Sequence, residues 1–287
     1  MLLLIFISSL FGLFGSDSVF EPTQFYSTPT SDIKMSYFQT IEDNSLDIPV
    51  VKKNAKKDFS ISMNREHLKY FKSLSATDQQ IFIKISSLGI FDNIKEKKNL
   101  SAQYSMLYKK DGAFNLETVI IVPVNYQKAS HLIRDYKDYN NWLLKDVNIR
   151  RNGEKGKYFV DIDSLNYLKD EKLQWFDTRI TLRTGFRGNY RLDLLIFDQT
   201  QQETIPSFTL KMREASKLAK EIEGTFKFIT LPGTQYFVTY FTGRAELTWA
   251  LYRFLPLALV RTQVLERATT MLENIQYKAE TIEQKSK

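Results

Sequence analysis

GTFKFITLPGTQYFVTYFTG, residues 224–243, is the stretch on which the fold turns. Phe226 and Phe228 continue the apolar phase of Ile222 and alternate with Glu223, Thr225 and Lys227, the period-two pattern of a strand with one buried face. Leu231-Pro232-Gly233-Thr234 then reverses the chain, because proline presets one turn dihedral and glycine accepts the next. The returning strand carries Tyr236, Val238 and Tyr240 in one phase and Phe237 and Phe241 in the other. It is aromatic on both sides. An antiparallel hairpin is the expectation.

Upstream lie further segments of the same kind. Leu116 to Val122 reads as a strand that stops at Pro123, which has no N–H to give a ladder. Asn125 can cap a short helix bearing Ala129, Leu132, Ile133 and Tyr136 on one stripe, and a second short turn carries Tyr139 and Trp142. Tyr158, Val160 and Ile162 alternate with acids, and Phe176, Thr178, Ile180 and Leu182 stand opposite Asp177, Arg179 and Arg183. A turn at residues 184–188 leads to Tyr190, Leu192, Leu194 and Ile196. Ser207 to Met212 reads as a strand, with helix as the competing reading of the residues after it. Downstream, Pro256 introduces a helix whose stripe is Leu257, Val260, Val264, Ala268, Met271, Ile275 and Ala279.

The N-terminal part differs in character. The apolar opening MLLLIFISSLFGLFG is too short to cross a bilayer and fits a signal peptide over residues 1–16, although only the terminal amine supplies positive charge. An uncleaved anchor is the alternative. Export to a periplasmic or secreted location follows from the first reading. Residues 17–59 read as a linker or loose arm, and residues 60–100 as a helical preface with helices over 64–74 and 76–88. The main unit spans 101–282, with a tail at 283–287.

Composition narrows the chemistry. No cysteine is present, which excludes thiol nucleophiles, disulfides and cysteine-bound clusters. The two histidines, His67 and His131, lie far apart and make no ligand set, so neither metal nor cofactor is expected. Forty Lys+Arg against 33 Asp+Glu give a net charge of +7, spread along the chain. That balance suits an anionic membrane surface better than nucleic acid, for which a concentrated basic face with interleaved aromatics is missing. The chain has 21 Phe and 15 Tyr, material for a core or for an apolar pocket.

The order of strand, two short helices, antiparallel strands and a long final helix resembles the helix-grip fold of the START and Bet v 1 superfamily, which includes polyketide cyclase and dehydrase-like proteins. The strand ending in VPV with IRDY and YNNW after it looks like the opening unit of that family. Residues 224–243 with the helix after Pro256 look like its closing unit. The resemblance implies an α+β fold in which about seven strands curve around the C-terminal helix and leave a cavity between them. It also implies an apolar, lipid-like ligand, held without catalysis by Trp142, Tyr158, Val160, Tyr190, Leu192, Phe226, Phe228, Tyr236, Val238, Tyr240, Val264, Ala268 and Met271. These side chains would serve equally well as plain core. The alternative function is a cyclase or hydrolase in the same cavity, which would need inward titratable groups. Asp177, Arg179, Arg191 and Asp193 alternate to the outer face. Asp135 and Asp138 sit beside Arg134 and Lys137 on a solvated turn, so no catalytic residue is assigned.

Overall fold

The computed structural model describes residues 35–40, 50–53, 59–87, 102–122, 136–149, 160–182, 187–197, 205–216, 219–230 and 237–254. Within the C-terminal stretch it describes Gln263, Glu266, Arg267, Thr270, Met271, Glu273, Asn274, Ile275, Tyr277, Lys278 and Thr281. The expected signal peptide, the helix stripe at 129–133 and the turns at 184–186 and 231–234 lie outside these residues.

Three short strands come first: β1 (Met35–Thr40), β2 (Val50–Lys53) and β3 (Phe59–Met63). They form a small sheet in the order β1-β3-β2, with β1 parallel and β2 antiparallel to β3. The segment expected as linker therefore contributes two strands. Its turn-rich composition hid them, since Tyr37, Phe38, Val50 and Val51 are the few β-formers among polar neighbours.

Two helices follow as expected, α1 (Arg65–Ser73) and α2 (Ala76–Ser87). Asn64 caps α1 by accepting the His67 N–H at 2.8 Å, which satisfies one of the free donors of the first turn. Ser75 accepts from Asp78 N–H at 3.2 Å at the start of α2.

The large sheet has eight strands: β4 (Ala102–Lys110), β5 (Ala113–Val122), β6 (Val160–Lys169), β7 (Gln174–Leu182), β8 (Arg187–Phe197), β9 (Ser207–Met212), β10 (Ala219–Thr230) and β11 (Phe237–Leu247). Their spatial order is β4-β5-β11-β10-β9-β8-β7-β6, antiparallel throughout. The count exceeds the seven read from sequence by β4, whose run AQYSMLYKK lacks the dense apolar phase of β5. The β4–β5 turn uses Asp111 and Gly112, both at positive φ (50° and 72°), the geometry of a tight two-residue hairpin. Ser207 to Met212 is a strand, buried at five of its six positions.

Between β5 and β6 lie a 3-10 turn (Tyr136–Asp138) and α3 (Tyr139–Trp142). After β11 comes α4 (Trp249–Phe254). Every described residue between 263 and 281 is helical. This C-terminal segment docks where Asn274 Nδ2 donates to the carbonyls of Leu143 (3.0 Å) and Lys145 (2.8 Å), directly after α3.

The edge strand β6 is closed by side chains. Asn140 Oδ1 accepts from Leu165 N–H at 2.6 Å, and Asn148 pairs with both backbone groups of Ile162, at 3.0 and 2.9 Å. An exposed strand edge would otherwise template association. Asn140, the first asparagine of YNNW, thus helps to finish the sheet.

Candidate functional site

Strand register assigns each side chain to one of two faces, because directly opposed residues share a face. Phe226 stands opposite Phe208 on β9 and Phe241 on β11. The same face runs through Leu192, Phe176 and Thr178 toward β6 and through Leu116 and Thr118 toward β4. We refer to it as the inner face.

A run of rings covers it. Phe226 stacks on Phe208 and tilts against Phe241, both with centroids 4.6 Å apart, and Phe228 lies 5.7 Å from Phe208. Tyr136 sets its edge against Phe208 and Phe176. Tyr139 lies parallel to Phe176 at 5.9 Å, and Trp142 stands edge-on to Tyr139 at 5.5 Å. Such pairs contribute about 0.5–1.5 kcal/mol each beyond area burial. Beside Phe226 and Phe241, Gly224 is paired directly with Gly243, so the inner face carries no side chain at that point.

The C-terminal segment buries Gln263, Glu266, Arg267, Thr270, Met271 and Ile275, with Arg267 fully inaccessible. Asn274 and Lys278 continue this face toward α3, where Lys278 Nζ lies 3.8 Å from Asp138. The helix thus offers a polar buried flank next to its apolar one. Sequence reading followed the apolar stripe and missed the flank, since exposed and buried polar residues look alike in a periodicity.

The outer face of the central strands is covered by the preface. Met63, Phe71, Leu74, Phe82, Ile83 and Ile85 form one core with Val119, Ile205, Ile229, Val238 and Tyr240. Within it, Lys227 Nζ meets Asp78 Oδ1 at 2.9 Å, and Asp78 Oδ2 accepts from Ile205 N–H at 3.0 Å. Lys84 pairs with Glu117, which also accepts the Tyr240 hydroxyl at 2.9 Å.

The expected ligand set therefore divides. Trp142, Tyr190, Leu192, Phe226 and Phe228 are on the inner side, and Met271 is buried on the helical segment. Val238 and Tyr240 are corrections: they face α1 and α2. Val238 opposes Ile229 and Tyr240 opposes Lys227, because a turn with an even number of residues pairs even positions with odd ones. Apolarity could not set this phase in a strand aromatic on both sides, whereas turn parity could have. Phe208, Phe241, Tyr136, Tyr139, Tyr167 and Phe176 are among the inner rings absent from the expected set. Val160 is in β6, opposite Leu182; Tyr158, Tyr236, Val264 and Ala268 lie outside the described residues.

Tyr190 folds back over Gly188, where an added Cβ would meet its ring at 2.7 Å. Burial pushes its phenol pKa up, and a hydrogen bond with Ser216 pulls it partly back. Asp193 lies outside the ring system, 2.6 Å from Arg213, and the Arg191 guanidinium stacks 3.8 Å over Trp175. A groove of about 600 Å³ runs past Asn166, Asp177, Arg179, Asn189 and Glu214 and is also lined by Thr178 and Tyr190. Among the described residues no group of three or more metal-ligating side chains is found, and no helix is long and apolar enough to cross a membrane.

An eight-stranded antiparallel sheet accompanied by a C-terminal helical segment is the helix-grip arrangement of α+β structure. Among solved structures the chain is similar to a START superfamily protein from Mycobacterium smegmatis, at 11% identity over 58% of this chain and 98% of that one, TM-score 0.39. It is also similar to the Zhui aromatase/cyclase from a Streptomyces species, at 11% identity over 58% and 94%, TM-score 0.41. A conserved protein from Geobacillus kaustophilus shares 14% identity over 58% and 95%, TM-score 0.40. No family model and no curated protein matches the chain.

Proposed function

We propose that the protein binds an apolar, lipid-like molecule between the inner face of the sheet and the C-terminal helical segment, without transforming it. The observation that carries this reading is the continuous ring-lined inner face broken by the bare Gly224–Gly243 pair. Apolar area removed from water at such a wall is worth about 25 cal/mol per Å², and rings bury much area for few rotatable bonds. The apolar N-terminal run and the net charge of +7 support work after export, close to an anionic membrane surface.

Native mass spectrometry of the purified full chain tests the reading. The expected result is a bound mass that is lost on denaturation and identified as lipid-like in the extract. Repeated recovery of empty protein, with no thermal shift on a lipid panel, would contradict it.

A catalytic reading draws on one observation, the burial of Glu266 and Arg267 on the helical segment. Turnover of a bound apolar ester or ketone that disappears in Glu266→Gln while binding persists would favour it.

A further inference from the structure

Two polar groups on the inner wall stand outside the hydrogen bonding of the fold. Trp142 is 8% exposed and Thr178 is 2% exposed. Neither the Trp142 indole Nε1 nor the Thr178 hydroxyl has a hydrogen-bond partner among the described residues. Buried groups of this kind are rare in native interiors and call for a reason.

They belong to one end of the wall. Trp142 packs on Tyr139, and Tyr139 packs on Phe176. Thr178 follows Phe176 by two residues on the same face of β7, about 7 Å along the strand. Thr178 also opposes Leu165, whose N–H is held by Asn140 of α3, the helix that carries Trp142.

The chemistry of the pair is one-sided. An indole N–H can only donate, and a threonine hydroxyl can donate while tolerating an acceptor or donor in return. The nearby amides are committed, Asn140 to Leu165 and Asn166, and Asn148 to Ile162. The complement is an acceptor oxygen on an otherwise apolar body.

Resting on the ligand-binding reading above, we propose that Trp142 Nε1 and Thr178 Oγ1 donate to the oxygen-bearing end of the ligand, a carbonyl or carboxylate. The ligand class is then an apolar body with an acceptor oxygen at the α3–β7 end of the interior. A plain hydrocarbon would leave both donors desolvated and unmatched.

The test uses the full chain and two probes of matched length, methyl nonyl ketone and undecane, with affinities measured by calorimetric or thermal-shift titration. Wild type is expected to bind the ketone about tenfold or more tighter than the hydrocarbon, and Thr178→Val or Trp142→Phe to remove most of that preference. Thr178→Val keeps the shape of the side chain, so the empty variant is expected to melt no lower than wild type. This keeps the test decisive even if Trp142→Phe fails to fold. Equal affinity of wild type for both probes, or an unchanged ketone preference in the variants, would overturn the inference while leaving the apolar-ligand reading in place. The latter result would mean that water satisfies the donors. Failure of wild type to bind either probe or any member of a lipid panel would instead remove the reading on which it rests.

Discussion

The central strands β5, β11 and β10 meet two different environments on their two faces. Inside, Phe226, Phe241 and Phe208 form a wall of rings, and the glycine pair beside them presents bare backbone. Outside, within one or two residues of the same positions, Lys227 and Glu117 pair with Asp78 and Lys84 of α2, and the Tyr240 hydroxyl donates to Glu117. The outer face is specified by directed polar contacts that fix one partner and one register. The inner face is specified by shape and apolarity, which admit more than one partner. That contrast is what makes the inner face suited to a ligand and the outer face suited to a permanent cover.

Breaking the outer contacts should cost most. Asp78→Ala removes the carboxylate that faces buried Lys227 and accepts from Ile205 N–H, with an expected loss of about 3–5 kcal/mol in urea unfolding. The double change Asp78→Leu with Lys227→Met should recover much of it, since apolar replacement of a buried pair is often neutral. Phe226→Ala on the inner wall should cost about 3–4 kcal/mol without ligand. A ligand that fills the space should return part of that loss as a larger thermal shift than in wild type. If the inner face were as tightly specified as the outer, no such recovery would occur.

Smaller effects sharpen the same contrast. Gly188→Ala places a Cβ within 2.7 Å of the Tyr190 ring and should cost about 1–3 kcal/mol by overpacking. Asn148→Ala uncovers Ile162 at the β6 edge, which should cost about 1–2 kcal/mol and raise concentration-dependent association in light scattering.

The smallest is a pH effect at Tyr190. Burial holds its pKa above the ordinary 10.0, so the folded chain keeps that proton longer than the unfolded chain. Its contribution is fully present below pH 10.0 and is lost as pH rises through the raised value. Tyr190→Phe should flatten that part of the alkaline decline in chemical-denaturation stability.

Much of the fold was legible in the sequence because periodicity reports burial. Helices α1 and α2 came from the spacing of Leu68, Phe71 and Leu74 and of Ile81, Phe82 and Ile85. Strands β7, β8 and β10 came from simple alternation. What was not legible had a physical cause in each case. β4 is an edge strand with Tyr108 and Lys109 in its run, so its apolar phase is thin. The phase of β11 was obscured because Val238 and Tyr240 are buried against α1 and α2 while Phe241 is buried inside. Gln263, Glu266 and Arg267 were invisible as interior residues, because nothing local distinguishes a polar side chain bound for the core from one bound for water.

The most direct test of the inner face as a ligand site uses the placement of the three tryptophans. Trp142 belongs to the inner ring system, Trp175 stacks under Arg191, and Trp249 is 66% exposed. In a Trp175→Phe/Trp249→Phe double variant, a brominated long-chain fatty acid should quench the remaining Trp142 emission saturably. The unbrominated acid should compete it away. Absence of quenching at Trp142, together with quenching of Trp249 in the reciprocal variant that retains only that residue, would mean that lipid meets the outside of the protein and would contradict an interior site.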